Sequence, residues 1–393
     1  MRTQIEEQLN YIGNQLRTIA GKGDKGLESY QRMAMLSTLG KLNEYVSTGD
    51  SFDVEWYDGS IYTSENKTSF PMVIGDLNHE VEYEDGSKGK ATGLEAQYAC
   101  PSSIQFDEKE AIIGGIALTK DTTYNFLIAN DDWGNKNGIY YNFTPTIDIP
   151  ASAMGVCSGS YNDASWTGKE IKFYANGVSD TVLATCVLAE GQTGTDLGST
   201  DGTGSLNHYH RAVLGSNRWI TSALRQWMNS EKPAGQWWTQ QHKWDRHPAQ
   251  SSSLNGFLFG MDKEFLAQIK KVKIVTGNAN SPDGGTLDVS YDRFFPLALN
   301  EKYISPQYTG EGEPWNYYKE LNAKNGRNDK YQQWQTYPEL AKAKINDKNA
   351  LQYVWLRSCG RNDGVNVFGI YPSGHVYYAG ASNSRFVAPA CYI

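Results

Sequence analysis

Apolar positions recur at spacings of three and four over residues 3–20, where Ile5, Leu9, Ile12, Leu16 and Ile19 form one stripe. That period predicts an amphipathic helix. Gly21 and Gly23 interrupt the stripe, and Met33, Leu36, Leu39 and Leu42 resume it between Leu27 and Val46. Residues 1–48 therefore read as a helical segment, with Gly40 a weak point in its second helix. From Asp50 to about Leu188 the period shortens. Phe52-Asp53-Val54-Glu55-Trp56 alternates apolar and polar residues before Asp58-Gly59, and Glu80-Val81-Glu82-Tyr83 precedes Asp85-Gly86. Both are hairpin signals. Further candidate strands cover 112–117, 124–128, 139–143, 171–174 and 182–187, so residues 49–189 read as a mainly antiparallel, β-rich domain.

Residues 190–206 are rich in Gly, Thr and Ser and read as a linker or surface loop. Beyond them, Trp219 to Met228 predicts a helix, and Asp262 stands where an N-cap would serve Phe265, Leu266 and Ile269. Residues 301–350 form a polar and aromatic excursion, with a short helix expected near Glu339 to Lys344. Strands return at 352–356, 364–371, 375–378 and 386–391, with Pro372-Ser373-Gly374 as a turn. The whole is an α+β chain: N-terminal helices, a β-rich region, and a C-terminal α+β domain over 207–393. Trp219, Leu224, Trp227 and Trp355 are expected in one core of that last domain.

At 393 residues the chain can bury about three quarters of its unfolded surface. Its 25 Tyr and 11 Trp outnumber 13 Phe, so much of the aromatic surface carries a polar handle suited to interfaces. A formal charge of −8 excludes a generally basic nucleic-acid wrapper, and no nucleic-acid partner is expected. MRTQIEEQLNYIGNQL has no apolar signal-peptide core, and no run of about 18 apolar residues predicts membrane insertion. The five cysteines are widely spaced, which favours free thiols from a reducing cytosol over a Cys359–Cys391 bridge.

Candidate chemistry is sparse. His208 and His210 in Asn207-His208-Tyr209-His210-Arg211 would share a face on a strand and could bind zinc or iron with His242 or His247. No further ligands lie near them in sequence, so no metal is expected. Asp131, Asp132 and Asp283 lie in turn-like segments without the EF-hand calcium pattern. GxSxG, GxxxxGK[ST] and HExxH are absent. The expectation is a non-enzymatic protein with no cofactor. The last 43 residues are more telling: eight aromatics and three Arg stand against one acid, Asp363, with Ser, Gly and Asn between them. Large rigid rings among small hydrogen-bonding groups are the chemistry of a paratope. The string 357–364 reads as a polar loop rather than core.

Val354-Trp355-Leu356-Arg357-Ser358 resembles the framework near the C-terminus of C-type-lectin-like domains in phage-encoded proteins. The string 217–230, NRWITSALRQWMNS, and Gly256-Phe257-Leu258 are similar to earlier parts of that framework. Phe386-Val387-Ala388-Pro389-Ala390-Cys391-Tyr392-Ile393 fits its closing strand, with Ala388 where the family often has Arg. The resemblance spans about 205–393. It implies a C-type-lectin-like fold and recognition of a host-surface protein or glycan, by a phage tail protein or by a variable protein of a diversity-generating retroelement. In the latter, adenine-directed mutagenesis alters exposed ligand-contacting residues. The positions here that match in type and region are Ser358, Cys359, Arg361, Asn362, Asp363, Asn366, Phe368, His375, Tyr377 and Tyr378. The resemblance further implies a homotrimer or other virion proteins as partners, and a virion or tail location after cytoplasmic synthesis, with the cell surface as the alternative. A purely structural virion or cell-surface role is the rival reading. An enzyme related to formylglycine-generating proteins of the same broad fold is the third.

Overall fold

A computed structural model describes residues 27–57, 67–128, 138–157, 165–175, 181–199 and 209–393. The helix expected over 3–20 and residues 200–206 of the expected 190–206 loop lie outside them. The chain is α+β, with an N-terminal helix and extensive sheet.

The first helix, Leu27–Thr38, is shorter than its apolar stripe. Gly40 adopts φ +67°, which lets the Lys41 N–H turn back to the Leu36 carbonyl at 2.8 Å and close the helix. Leu39 is left half exposed, while Leu42 is buried in a following turn of 3-10 helix. Ser37 Oγ donates to the Ile393 carbonyl at 2.7 Å, fastening this helix to the C-terminal end of the chain.

Two five-stranded sheets carry the main core. One runs Ser51–Tyr57, Lys67–Glu82, Lys88–Ala96, Ala390–Tyr392, Phe294–Phe295, all neighbours antiparallel. The other runs Val376–Gly380, Asn366–Ile370, Val354–Cys359, Ser384–Val387, Ile104–Gln105. In it, only Val354–Cys359 and Ser384–Val387 pair in parallel. Trp219, Leu224, Trp227 and Trp355 share this core, as their spacing predicts. Ser222 caps the helix Ala223–Met228 by accepting the Arg225 N–H at 3.1 Å, after a 3-10 turn over Trp219–Thr221. Asp262 caps Lys263–Gln268 in the same way, through the Phe265 N–H at 2.8 Å.

The cores do not divide at residues 189 and 207. Residues 51–107 supply strands to the C-terminal sheets, because Lys88–Ala96 pairs with Ala390–Tyr392 and Ile104–Gln105 with Ser384–Val387. A second core, centred on Phe126, Tyr141, Trp166 and Phe173, occupies 112–197 and takes in Ala212 and Val213. The expected linker contributes to it: Thr195–Ser199 pairs in parallel with Tyr124–Ile128. In the 301–350 excursion the helix is Asn316–Lys324, whereas Lys342–Lys344 is a strand.

Candidate functional site

The hairpin Asn366–Ile370 and Val376–Gly380 closes through Pro372-Ser373-Gly374. There the Gly374 N–H donates to the Tyr371 carbonyl at 2.8 Å with φ +84°. Its outer strand is flanked by chain from the excursion. The Trp334 N–H donates to the Val376 carbonyl and the Val376 N–H to the Gln335 carbonyl, both at 2.9 Å. This brings the Trp334 ring to 5.1 Å from Tyr377, 5.0 Å from Tyr378 and 5.6 Å from Phe368. His375 stacks on Tyr377 at 5.5 Å and 24°, and Tyr371 meets Tyr377 edge-on at 5.8 Å. Trp334 is 43% exposed and Tyr377 37%, with Tyr371, His375 and Tyr378 half-buried around them. Phe368 is the buried floor, and burial raises the phenol of Tyr353 behind Tyr371. Such a group offers ring faces and edges together with hydroxyl and imidazole groups, which suits an amphipathic partner.

The residues expected in one patch separate into two. Arg361 and Asn362 are exposed and Asp363 half-buried on the loop before the hairpin, and Asn366 is half-buried at its first position. Asn366 pairs with Gly380, whereas His375 lies beyond the far pair, Ile370 and Val376. Four residues of strand between these ends span about 13 Å. In the loop, the Asn362 side-chain carbonyl accepts from Asn280 Nδ2 at 3.1 Å, and the Arg361 guanidinium lies 5.2 Å over the Tyr308 ring. Asp363 Oδ1 accepts the Asn366 N–H at 2.7 Å, which holds the turn.

Ser358, Cys359 and Phe368 are buried, contrary to the expectation of an exposed set. Arg357, Ser358 and Cys359 belong to a fully buried strand rather than a polar loop. The reason is a set of internal partners. Arg357 pairs with Glu301 and donates to the Thr276 hydroxyl at 3.2 Å. Ser358 Oγ donates to Glu311 at 2.7 Å and accepts the Leu299 N–H at 2.9 Å. Burial pushes the Glu311 carboxyl up to about 7 against the opposing Arg357 charge and Ser358 hydrogen bond. Cys359 Sγ donates to the Gly277 carbonyl at 3.1 Å, and burial raises its thiol well above the ordinary value. Phe368 is covered by Trp334 and Tyr378.

Trp334 is the member of this aromatic group that sequence reasoning missed. Its signal was present only as one aromatic among several in the excursion. All five cysteines are buried and stand outside any disulfide. His210 lies in the short helix Tyr209–Leu214, not on a strand, and His208 is outside the described residues. His242 faces Asp245 and His247 faces Ser251. Among the described residues, no group of three His, Cys, Asp or Glu converges to hold a metal ion, and no helix is long and apolar enough to cross a membrane.

Residues 181–393 match the family model described as Domain of unknown function (DUF6273). No curated protein and no solved structure matches the chain.

Proposed function

With the chain belonging to the DUF6273 family, we propose that its C-terminal region is a C-type-lectin-like recognition module. It binds a host-surface protein or glycan without catalysis, as part of a phage tail, a virion or a related cell-surface adhesin. The observation that carries this reading is the ring group at the outer strand of the hairpin, where exposed Trp334 and Tyr377 meet half-buried His375. A core has no use for two large aromatics over a third exposed, whereas a contact surface gains rigid area at low entropic cost. The buried framework beneath supports the same reading. Phe368, Val367 and the Arg357–Glu301 pair hold the hairpin on a rigid sheet, so contact side chains can change without loss of the fold. Arg361, Asn362 and Asn366 then form a second contact area at the hairpin's other end. Oligomeric display, as a homotrimer or on other virion proteins, would raise avidity across such sites. Alanine variants at Trp334, Tyr377, Arg361 and Asn366, each scored for binding to intact bacterial cells and for thermal unfolding, test the assignment. Loss of binding without loss of folding supports it, and unchanged binding in all four rejects it.

A further inference from the structure

A concavity lies away from the aromatic hairpin, between Gln97 and Tyr98, which follow the strand Lys88–Ala96, the helix Asn316–Lys324 and the strand Lys342–Lys344. Its volume is about 270 Å³, and its lining includes Gln97, Tyr98, Tyr317, Tyr318, Lys342 and Leu351. That is room for one small ring-sized ligand, near the lower end of small-molecule pockets.

Behind the lining residues Tyr318 and Lys342 lies a buried ion cluster. Glu95 is 3% exposed and is held by two ammonium groups: Lys302 at 2.7 Å on one oxygen and Lys342 at 3.0 Å on the other. The Tyr318 hydroxyl donates to Glu95 and accepts from Lys302. Lys302 is 2% exposed, and burial pushes its ammonium down to about 8, with Glu95 opposing and Lys342 reinforcing the shift. It therefore stays mostly protonated at neutral pH. Two ammonium groups thus face the Glu95 carboxylate, and Lys348 Nζ lies 5.3 Å over the Tyr98 ring. Glu339, the acidic residue of the lining, is already paired with Arg327. Lys342 Nζ donates to Glu95 and to the Ala96 carbonyl at 2.8 Å, which spends two of its three N–H groups. Its side chain is 12% exposed, and it lines the cavity.

We propose that this pocket binds the carboxylate of an acidic sugar unit, with Lys342 as the cationic contact and Tyr98 and Tyr317 as walls for the ring. The third N–H of Lys342 suits a single carboxylate oxygen. A phosphate presents three strong acceptor oxygens and asks for more donors than this one. The tyrosines supply apolar faces with polar tips, which fits a ring that is itself apolar on its faces and hydroxylated at its edge. The site is independent of the recognition face on the hairpin.

Isothermal titration of the full chain with D-glucuronate, D-glucose and inorganic phosphate tests the assignment. Glucuronate is expected to saturate one site per chain and to bind at least tenfold more tightly than glucose or phosphate. Lys342→Met should cost tenfold or more. It should still fold, because Lys302 alone balances Glu95. Leu351→Glu, a change at a residue 47% exposed on the rim, should weaken glucuronate by charge repulsion without touching the core. Trp334→Ala should leave glucuronate binding intact. The proposal is overturned if glucuronate does not saturate, if glucose or phosphate binds as well, if both pocket variants bind glucuronate normally, or if Trp334→Ala abolishes its binding.

Discussion

The Arg357 guanidinium and the Glu301 carboxylate form a bidentate pair inside the core, with Nη2 to Oε1 at 2.7 Å and side chains 1% and 4% exposed. Arg357 also donates to the Pro296 carbonyl at 3.1 Å, and Glu301 accepts the Ala298 N–H at 2.8 Å. Through these bonds the strand beside the aromatic hairpin is tied to the 296–301 segment. Removing one partner leaves an uncompensated buried charge. Arg357→Met and Glu301→Gln should each cost about 3–5 kcal/mol. The double variant should lose less than the sum, and urea unfolding of the four proteins measures the coupling.

Glu110 predicts a pH dependence. It is 3% exposed, one of its oxygens has no hydrogen-bond partner, and burial pushes its carboxyl up to about 8, with Asp245 and Asp283 adding and Arg211 opposing. Nearby Asp107 is raised too, by burial first and then by Asp245 and Glu110. A raised acid holds its proton in the folded chain where the unfolded chain has released it. The stability it contributes is therefore complete below its ordinary value of 4.5 and is lost as pH rises through about 8. The thermal midpoint should fall between pH 5 and pH 8. Glu110→Gln should flatten that fall and raise the midpoint at pH 8; an unaltered slope would refute the assignment.

Trp315 packs flat against backbone that only glycine permits. A Cβ on Gly93 would lie 2.8 Å from Trp315 Cζ2, and Trp315 Nε1 is held in place by donating to the Tyr392 hydroxyl at 3.1 Å. Gly93→Ala should destabilise by about 1–3 kcal/mol through overpacking. Trp315→Phe in the same background should recover part of the loss, as read by chemical denaturation.

The cap at Asp262 offers a smaller, local test. Asp262→Ala removes the acceptor for the Phe265 N–H and should cost about 1 kcal/mol. Asp262→Asn should retain most of it, and amide exchange at Phe265 reports the difference at the site itself.

How far the sequence spoke depended on the reach of each interaction. Tyr124–Ile128 and Ile139–Phe143 were legible because alternation and turns are local. So were the Asp262 cap and the turn before His375. Arg357 and Ser358 misled for the opposite reason. They look like loop until Glu301 and Glu311 are found 56 and 47 residues away to satisfy them. The helix Asn316–Lys324 hid behind a polar string whose buried residues, Tyr318 and Asn322, show only where the helix packs. Trp334 escaped notice because its place beside Tyr377 depends on long-range backbone pairing with Val376, reached at a φ of +66°.

Binding of Trp334→Ala and Tyr377→Ala to a glycan array and to intact bacterial cells, with unfolding midpoints taken alongside, tests the recognition face most directly. Each truncation of a central ring should cost about 2 kcal/mol or more, roughly thirtyfold in affinity. The midpoints should stay near that of the parent chain, since both rings are over a third exposed. Parental binding by both variants, or binding lost only together with the folded state, would contradict the account.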